Sequence, residues 1–534
     1  MKCDGVTDDS AALQSALNSA SDPGLGNTKV VLPPGTCIID PAAAITINSG
    51  LWLQGAGRYG TTLKRKNSSA GGALLTFNAD GITLSDFAID GNKGGSGITA
   101  SADSVSVNAP SSGVTITRMH FLNATGGDIS SPRQDPGIFV SNWIINDNDF
   151  DNGGTPDCGL QLNCGNVLIH QPLNVKVLSN RSDSSQHFVL FSSAPGGGQV
   201  EVGNNVLTNL NGFGVALGGG PIGAAGAHIH DNFMTSLESN AFNLIDVAIW
   251  YDYTVDHNII YHNGQLTTQA APTSCIADFP PAYHGVIDSN ICHMTPAKGV
   301  NVTGIAVGGD DDVISNNFVE GAGSAGIVCV IGAASGIRGV RIIGNTTKNN
   351  GTRNPGVDAG IELYLANNPP DLAALADVII SGNHSYDDQV NKTQGYGIGI
   401  TLFDKTTNIY DVVIQNNDVA GNINGGIFNR SRFLTSLVIR NNFGYNPVGV
   451  ITPPPFPAPG AGPVINTTGF DTTIYVTSGS GPVTVAINGI SVPALTIPGG
   501  GVVGNPIRLP ANQNITLTYG GLGTPIPSWQ WVAD

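Results

Sequence analysis

An asparagine that returns at a nearly fixed interval constrains this chain more than any other feature. Between about residue 140 and residue 445 one short unit recurs: an alternating apolar strand, an Asn, another apolar residue, then a Gly and a second strand. It reads VIDSNIC over 286–292, VISNNFV over 313–319 and VIQNNDV over 413–419. The marker falls at Asn148, Asn180, Asn205, Asn232, Asn258, Asn290, Asn317, Asn345, Asn383, Asn417 and Asn442, in steps of 25 to 38 residues. A basic period in the mid-twenties with occasional insertions is the signature of a solenoid. Each period holds two or three short β-branched strands and a turn, which is one coil of a β-helix and not a propeller blade. Asn suits the turn because it tolerates the left-handed conformation and can hydrogen-bond to its counterpart in the next coil. The markers are therefore expected to form an internal ladder and not a site.

Composition agrees. Gly is 72 of 534 residues and only 11% are charged, against roughly 25% in ordinary globular domains. Few residues are left for the polar faces of helices, whereas stacked strands with tight Gly and Asn turns fit. A formal net charge of −17 opposes nucleic acid, whose phosphates need clustered Lys and Arg. It also leans the expected partner towards a neutral or weakly charged glycan. No apolar run is long enough to cross a membrane as a helix. The seven cysteines match no zinc spacing, and an extracellular disulfide from Cys3 to Cys37 is expected, with Cys275, Cys292 and Cys329 packed in the core. The opening Met reads as a start that replaced a removed leader, so the chain is expected outside the cell.

The first 60 residues depart from the repeat. Asp4 to Leu17 reads as a capped amphipathic helix with Leu13 and Leu17 on one face, suited to cover the open end of a solenoid. The segments Asp4-Gly-Val-Thr-Asp-Asp9, Val31-Leu-Pro-Pro-Gly35 and Leu53-Gln-Gly-Ala-Gly57 resemble the N-terminal signature of the pectate-lyase-like superfamily. That resemblance implies an architecture shared by polygalacturonases, β-1,3-glucanases, epimerases, lyases and phage tailspike depolymerases. It is specific for fold and not for reaction. The expected fold is all-β: a right-handed, single-stranded parallel β-helix over 1–450 with an N-terminal capping helix, a Pro-rich linker over 451–463, and a small β-sandwich-like module over 464–534. Trp529 and Trp531 near its end are expected in that module's core or at an oligomer contact, with sugar stacking as the alternative.

In a β-helix, outward side chains of successive coils line up about 4.8 Å apart, so reactive groups need the same position in neighbouring coils, not nearness in sequence. Aligned strands place Asp135, Asp157 and His187 on one stripe, two carboxylates and an imidazole of the kind acid/base glycoside cleavage requires. Outward positions beside them, Phe139, Gln161, Asn163 and Asn243, are expected to bind substrate. The run TPDCGLQLN over 155–163 looks like the polygalacturonase rung with an Asp-Asp-Cys element. That resemblance implies Asp157 as general acid, Asp135 as base and His187 as a proton-sharing partner. Pro156 replaces the first Asp of that element, His187 lacks its usual Gly neighbours and no Arg-Ile-Lys element follows, so galacturonan specificity does not carry over.

A rival cluster is Glu362 with Tyr364, which alternation in Gly360-Ile-Glu-Leu-Tyr-Leu365 points outward, and Asp358 close by. Glu238 and the aromatic run from Trp250 to Tyr253 are further candidates for substrate contact. Asp310, Asp311 and Asp312 read as a solvated turn where a structural calcium has room to bind; no other cofactor is expected. The expected function is polysaccharide hydrolysis. A lyase, for which Arg133, Lys298 and Arg353 are the candidate bases, and a glycan-binding spike that assembles as a homotrimer are the alternatives.

Overall fold

The computed structural model describes the chain except residues 22–27, 68–70, 99–102, 108–109, 132–139, 155–163, 193–195, 219–223, 238–239, 241, 264–272, 281, 296–301, 332–336, 366–373, 402–407, 430–436, 446–448, 469–470, 511–512, 521–525 and 534. Its body is a solenoid of three parallel sheets with 14, 14 and 19 strands. One coil illustrates all of them. Val286–Asp288 lies in the 19-stranded sheet III, Ile291–Met294 in sheet I and Val302–Val307 in sheet II, and Val313–Ser315 then re-enters sheet III one rung on. Within each strand alternate residues point inward, so the interior is a continuous stack of Val, Ile, Leu and Phe.

The Asn markers sit at the corner from sheet III to sheet I. From Asn148 to Asn442 each side-chain Nδ2 donates to the Oδ1 of the next marker at 2.9 to 3.1 Å. The left-handed residue, however, is the one before each marker, such as Asp147, Ser179, Asn204 or His257, with φ near +55°. That residue reverses the chain, and the ladder Asn that follows turns its amide inward. Asn258 shows the bonding: Oδ1 accepts Asn232 N–H and Nδ2 at 3.0 and 2.9 Å, while Nδ2 donates to Ile229 O, Asp256 O and Asn290 Oδ1. Asn258→Ala strands several buried partners at once, at about 1–3 kcal/mol for each group left unpaired. The melting temperature of Asn258→Ala is expected to fall by several degrees, with a lower midpoint in urea.

The N-terminal end is capped by the helix Ser10–Ala20, whose Leu13 and Leu17 are buried on the first coil. The helix starts later than the sequence implies. Asp4–Asp8 is a strand parallel to Gly35–Ile39, because Asp9 accepts Lys2 and Cys3 N–H groups and so ties the preceding segment to the coil. Cys3 and Cys37 are disulfide-bonded there. Cys275 and Cys292 are also paired, across the core, and are not merely packed in it; buried Cys329 is a free thiol.

After the last coil two four-stranded antiparallel sheets face each other around a core of their own. Trp531 and Trp529 belong to that core, so neither offers a ring to a sugar. The Pro-rich stretch does not hang free as a linker. Gly449–Ile451 pairs with Ser528–Ala533, Phe456 packs on Tyr519 and Trp529, and the carbonyls of Pro454 and Pro457 accept Trp529 Nε1 and Tyr519 OH.

Candidate active site

Sheet II carries the chemistry-bearing face. Its inward register runs Val189, Val215, Ile245, Ile276, Ile305, Ile327, Ile361 and Ile398. The outward stripe beside it is Leu190, Ala216, Asp246, Ala277, Ala306, Val328, Glu362 and Gly399. Two carboxyls stand in this otherwise apolar row. Glu362 and Asp246 are four rungs apart, about 19 Å at the strand spacing, too far to act as one pair.

Glu362 lies mid-strand in Ala359–Leu365, with Ile361 and Leu363 fully buried on the other side. Burial raises its carboxyl to about 7, the charge of Asp358 adds to this, and a hydrogen bond with Thr401 works against it. Asp358 immediately precedes the strand; burial lifts it to about 6, with only Arg353 opposing. Its Oδ2 is buried and has no hydrogen-bond partner among the described residues. The next rung clears space. Gly399 pairs with Glu362, and a Cβ there would stand 3.1 Å from Ala359 Cβ and 3.6 Å from Glu362 Cγ. Two aromatic rings stand one and two rungs beyond the acids: Tyr396, in register with Ala359, stacks on Phe428 at 4.7 Å. Tyr364 stands two residues beyond Glu362, packed against Ala277, Ala306, Ala325 and Val328.

The second carboxyl, Asp246, is lifted to about 6 by burial. It lines a cavity of about 170 Å³ with Leu190, Phe213, Ala216 and Ala248. Asn243 holds it, donating Nδ2 to Asp246 Oδ2 at 2.8 Å and accepting Ser274 N–H at 2.7 Å. The alignment that put Asn243 on the outward stripe is thus three residues early in this rung, because Asn240 accepts Phe242 N–H in a turn and the strand begins only at Ile245.

Several expected site residues stand elsewhere. His187 is fully buried, its Nδ1 accepting Phe213 N–H at 3.0 Å and its ring packed against Phe213 and Phe242. It cannot meet a substrate: Val189 and Leu190 do fall in the rows of Ile361 and Glu362 as aligned, but His187 precedes the strand Val189–Ser192, at the corner, where its ring turns into the core. Trp250 and Tyr253 are likewise core residues, since Trp250–Asp256 belongs to sheet III and both rings point inward. Asp312 is not in a solvated turn. It accepts Gly285 N–H at 2.6 Å and is buried beside Asp278, which accepts Tyr253 OH at 2.8 Å. Desolvation and mutual repulsion hold a proton on this pair far above the usual carboxylate range. Asp135, Asp157, Phe139, Gln161, Asn163, Glu238, Arg133 and Lys298 lie outside the described residues.

Residues 1–163 match the family model of rhamnogalacturonase A/epimerase, pectate lyase-like. No curated protein matches the sequence. Among solved structures, a tailspike protein mutant of the E. coli bacteriophage HK620 in complex with a pentasaccharide aligns with all of this chain and 91% of its own, at 10% identity and a TM-score of 0.56. The A-module of a mannuronan C-5 epimerase of Azotobacter vinelandii aligns with 83% of this chain and 97% of its own, at 15% identity and a TM-score of 0.35. PfbA, a surface adhesin of Streptococcus pneumoniae, aligns with 73% and 91%, at 15% identity and 0.46. The likeness is one of fold.

Proposed function

We propose that this chain, a pectate-lyase-like right-handed parallel β-helix protein, is an extracellular glycoside hydrolase that cleaves a neutral or weakly charged polysaccharide on the outer face of sheet II. The observation that carries the reading is the pair Asp358 and Glu362. They are two carboxyls on one segment, both raised by burial, with the charge of Asp358 pushing Glu362 further up, and set near stacked aromatic rings. Acid/base cleavage needs one carboxyl protonated and one ionised at the same pH. Between pH 6 and 7 Glu362 is the acid that protonates the leaving oxygen, and Asp358 is the base that takes a proton from water. The Tyr396–Phe428 pair offers a face on which a sugar ring stacks. The chemistry is carried by side chains alone, and disulfides such as Cys3–Cys37 and Cys275–Cys292 suit an oxidising compartment.

Four residues along an extended segment separate the Cα atoms by about 13 Å. A carboxyl separation of about 6.5–9.5 Å admits a water between acid and base, and the reaction is expected to invert the anomeric centre. The test is a panel of neutral and acidic polysaccharides assayed for new reducing ends and for the ultraviolet absorbance of unsaturated uronides, with the product anomer read by NMR. Reducing ends of inverted configuration without absorbance are expected. Unsaturated ends from an acidic polymer would replace the reading with a lyase, for which Arg353 near Asp358 is the candidate base among the described residues.

A further inference from the structure

We propose that a second carbohydrate-binding face lies on the outer side of sheet I, and that it takes a neutral glycan chain laid along the helix axis. Five successive rungs present Val206, Phe233, Ile259, Ile291 and Phe318 outward in register. Val206 and Ile259 are each more than a third exposed, as is Tyr261 beside them. The neighbouring row runs Tyr261, His293, Glu320, Lys348, Tyr386. In it Tyr261 stacks on His293 at 5.1 Å, and His293 meets Phe318 at 5.6 Å. The rings lead into a cavity of about 260 Å³ lined by His293, Glu320, Asn349 and Gln389.

Three properties of this surface fit a neutral glycan. Phe233, Tyr261, His293 and Phe318 place one ring on each of four successive rungs, which repeat about every 4.8 Å, close to the length of one pyranose along an extended chain. Tyr261 and His293 stack on each other, so sugars laid along the axis meet their outer edges in step. The cavity offers amide, imidazole and carboxylate groups together, donors and acceptors as sugar hydroxyls need. Its charges are compensated internally, with Glu320 between His293 and Lys348 at 3.4 and 3.5 Å and Lys348 also on Asp388 at 3.2 Å. Glu320 and Asp388 outnumber Lys348, so no positive charge is left over to select an anionic polymer. A contact with a second copy of the chain needs a broad apolar patch, whereas here a single apolar row borders a second row that passes from Tyr261 and His293 to the charged Glu320 and Lys348. The face is distinct from the carboxyl site, and its failure would leave that site's assignment standing.

Affinity electrophoresis of the full chain in gels cast with dextran, galactomannan, mixed-linkage β-glucan or alginate tests it. The native protein should be retarded by at least one neutral polymer. The double variant Tyr261→Ala/His293→Ala should lose at least ten-fold in affinity for that polymer, and Glu362→Gln should be retarded as the native protein is. Tyr261→Ala alone, at a well-exposed position, should show a smaller loss with unchanged melting and so guards against a folding defect. Equal retardation of the double variant, loss of retardation in Glu362→Gln, or no retardation of the native protein in any gel would overturn the proposal. So would self-association in sedimentation that the double variant abolishes, which would give the ribbon to a second copy, as in a homotrimer.

Discussion

Glu362→Gln is expected to lower turnover of the cleaved polysaccharide by about 10²–10⁴-fold, the range general acid catalysis contributes, with KM nearly unchanged. Gln keeps the shape and the hydrogen bond to Thr401 but has no proton to give. The buried Ile361 and Leu363 on the other side of the strand are untouched, so melting near pH 4, where folded Glu362 is protonated, should match the native protein, and at pH 8 the variant should melt higher because Gln has no proton to lose. Initial rates and a thermal melt on the same sample check both halves. A substrate whose leaving group needs no protonation, such as a glycosyl fluoride, should recover much of the lost rate, which a merely structural role for Glu362 would not allow.

Stability should fall as pH rises from about 4 to 8. Burial raises Asp128 to about 7, where Asn166 Nδ2 donates to it at 2.8 Å, and Asp246, Asp358 and Glu362 to between about 6 and 7. The Asp278–Asp312 pair holds its proton higher still. In the unfolded chain these groups ionise near pH 4, so between pH 4 and each folded value the folded state binds the extra proton. Stability is therefore fully present below pH 4 and is lost as pH climbs through the folded values. One pKa unit corresponds to about 1.4 kcal/mol, so Asp128 alone contributes on the order of 4 kcal/mol of this decline. The melting temperature should drop by roughly 5–10 °C between pH 4.5 and 8. Asp312→Asn should flatten the slope, since a neutral amide replaces the acid that resists ionisation. A melting temperature that rises with pH over this range would contradict the account.

The fold was legible because the Asn ladder repeats a physical requirement. Each coil must satisfy the same buried corner, and Asn258 and its counterparts do so with the same bonds. What the pattern hid was the division of labour, since the reversing residue precedes the ladder Asn and varies among Asp, Ser, Asn, His and Gly. Glu362 and Tyr364 could be read because a charge between two aliphatic residues in a strand has only the outer face to occupy. Asp246 could not be read, because the turn at Asn240 shifts its strand by three residues, and tertiary register alone restores it to the row of Glu362. His187 and Trp250 mislead because polar or aromatic character marks them as surface groups, whereas His187 sits at a corner and Trp250 at the start of a sheet III strand, and both turn inward. The sequence placed Asp312 with its acidic neighbours, and only the fold brings it to Asp278, 34 positions earlier.

The central claim is that Glu362 and Asp358 are the acid and the base, and the pH dependence of kcat/KM for the native protein and Asp358→Asn tests it most directly. The account predicts a bell with limbs near 6 and 7 for the native protein. In Asp358→Asn the acid limb should vanish, the remaining rate should be low, and azide should restore turnover by standing in for the base. An unchanged bell in Asp358→Asn, at a native rate, would contradict the account and return the search to the other carboxyls of the chain.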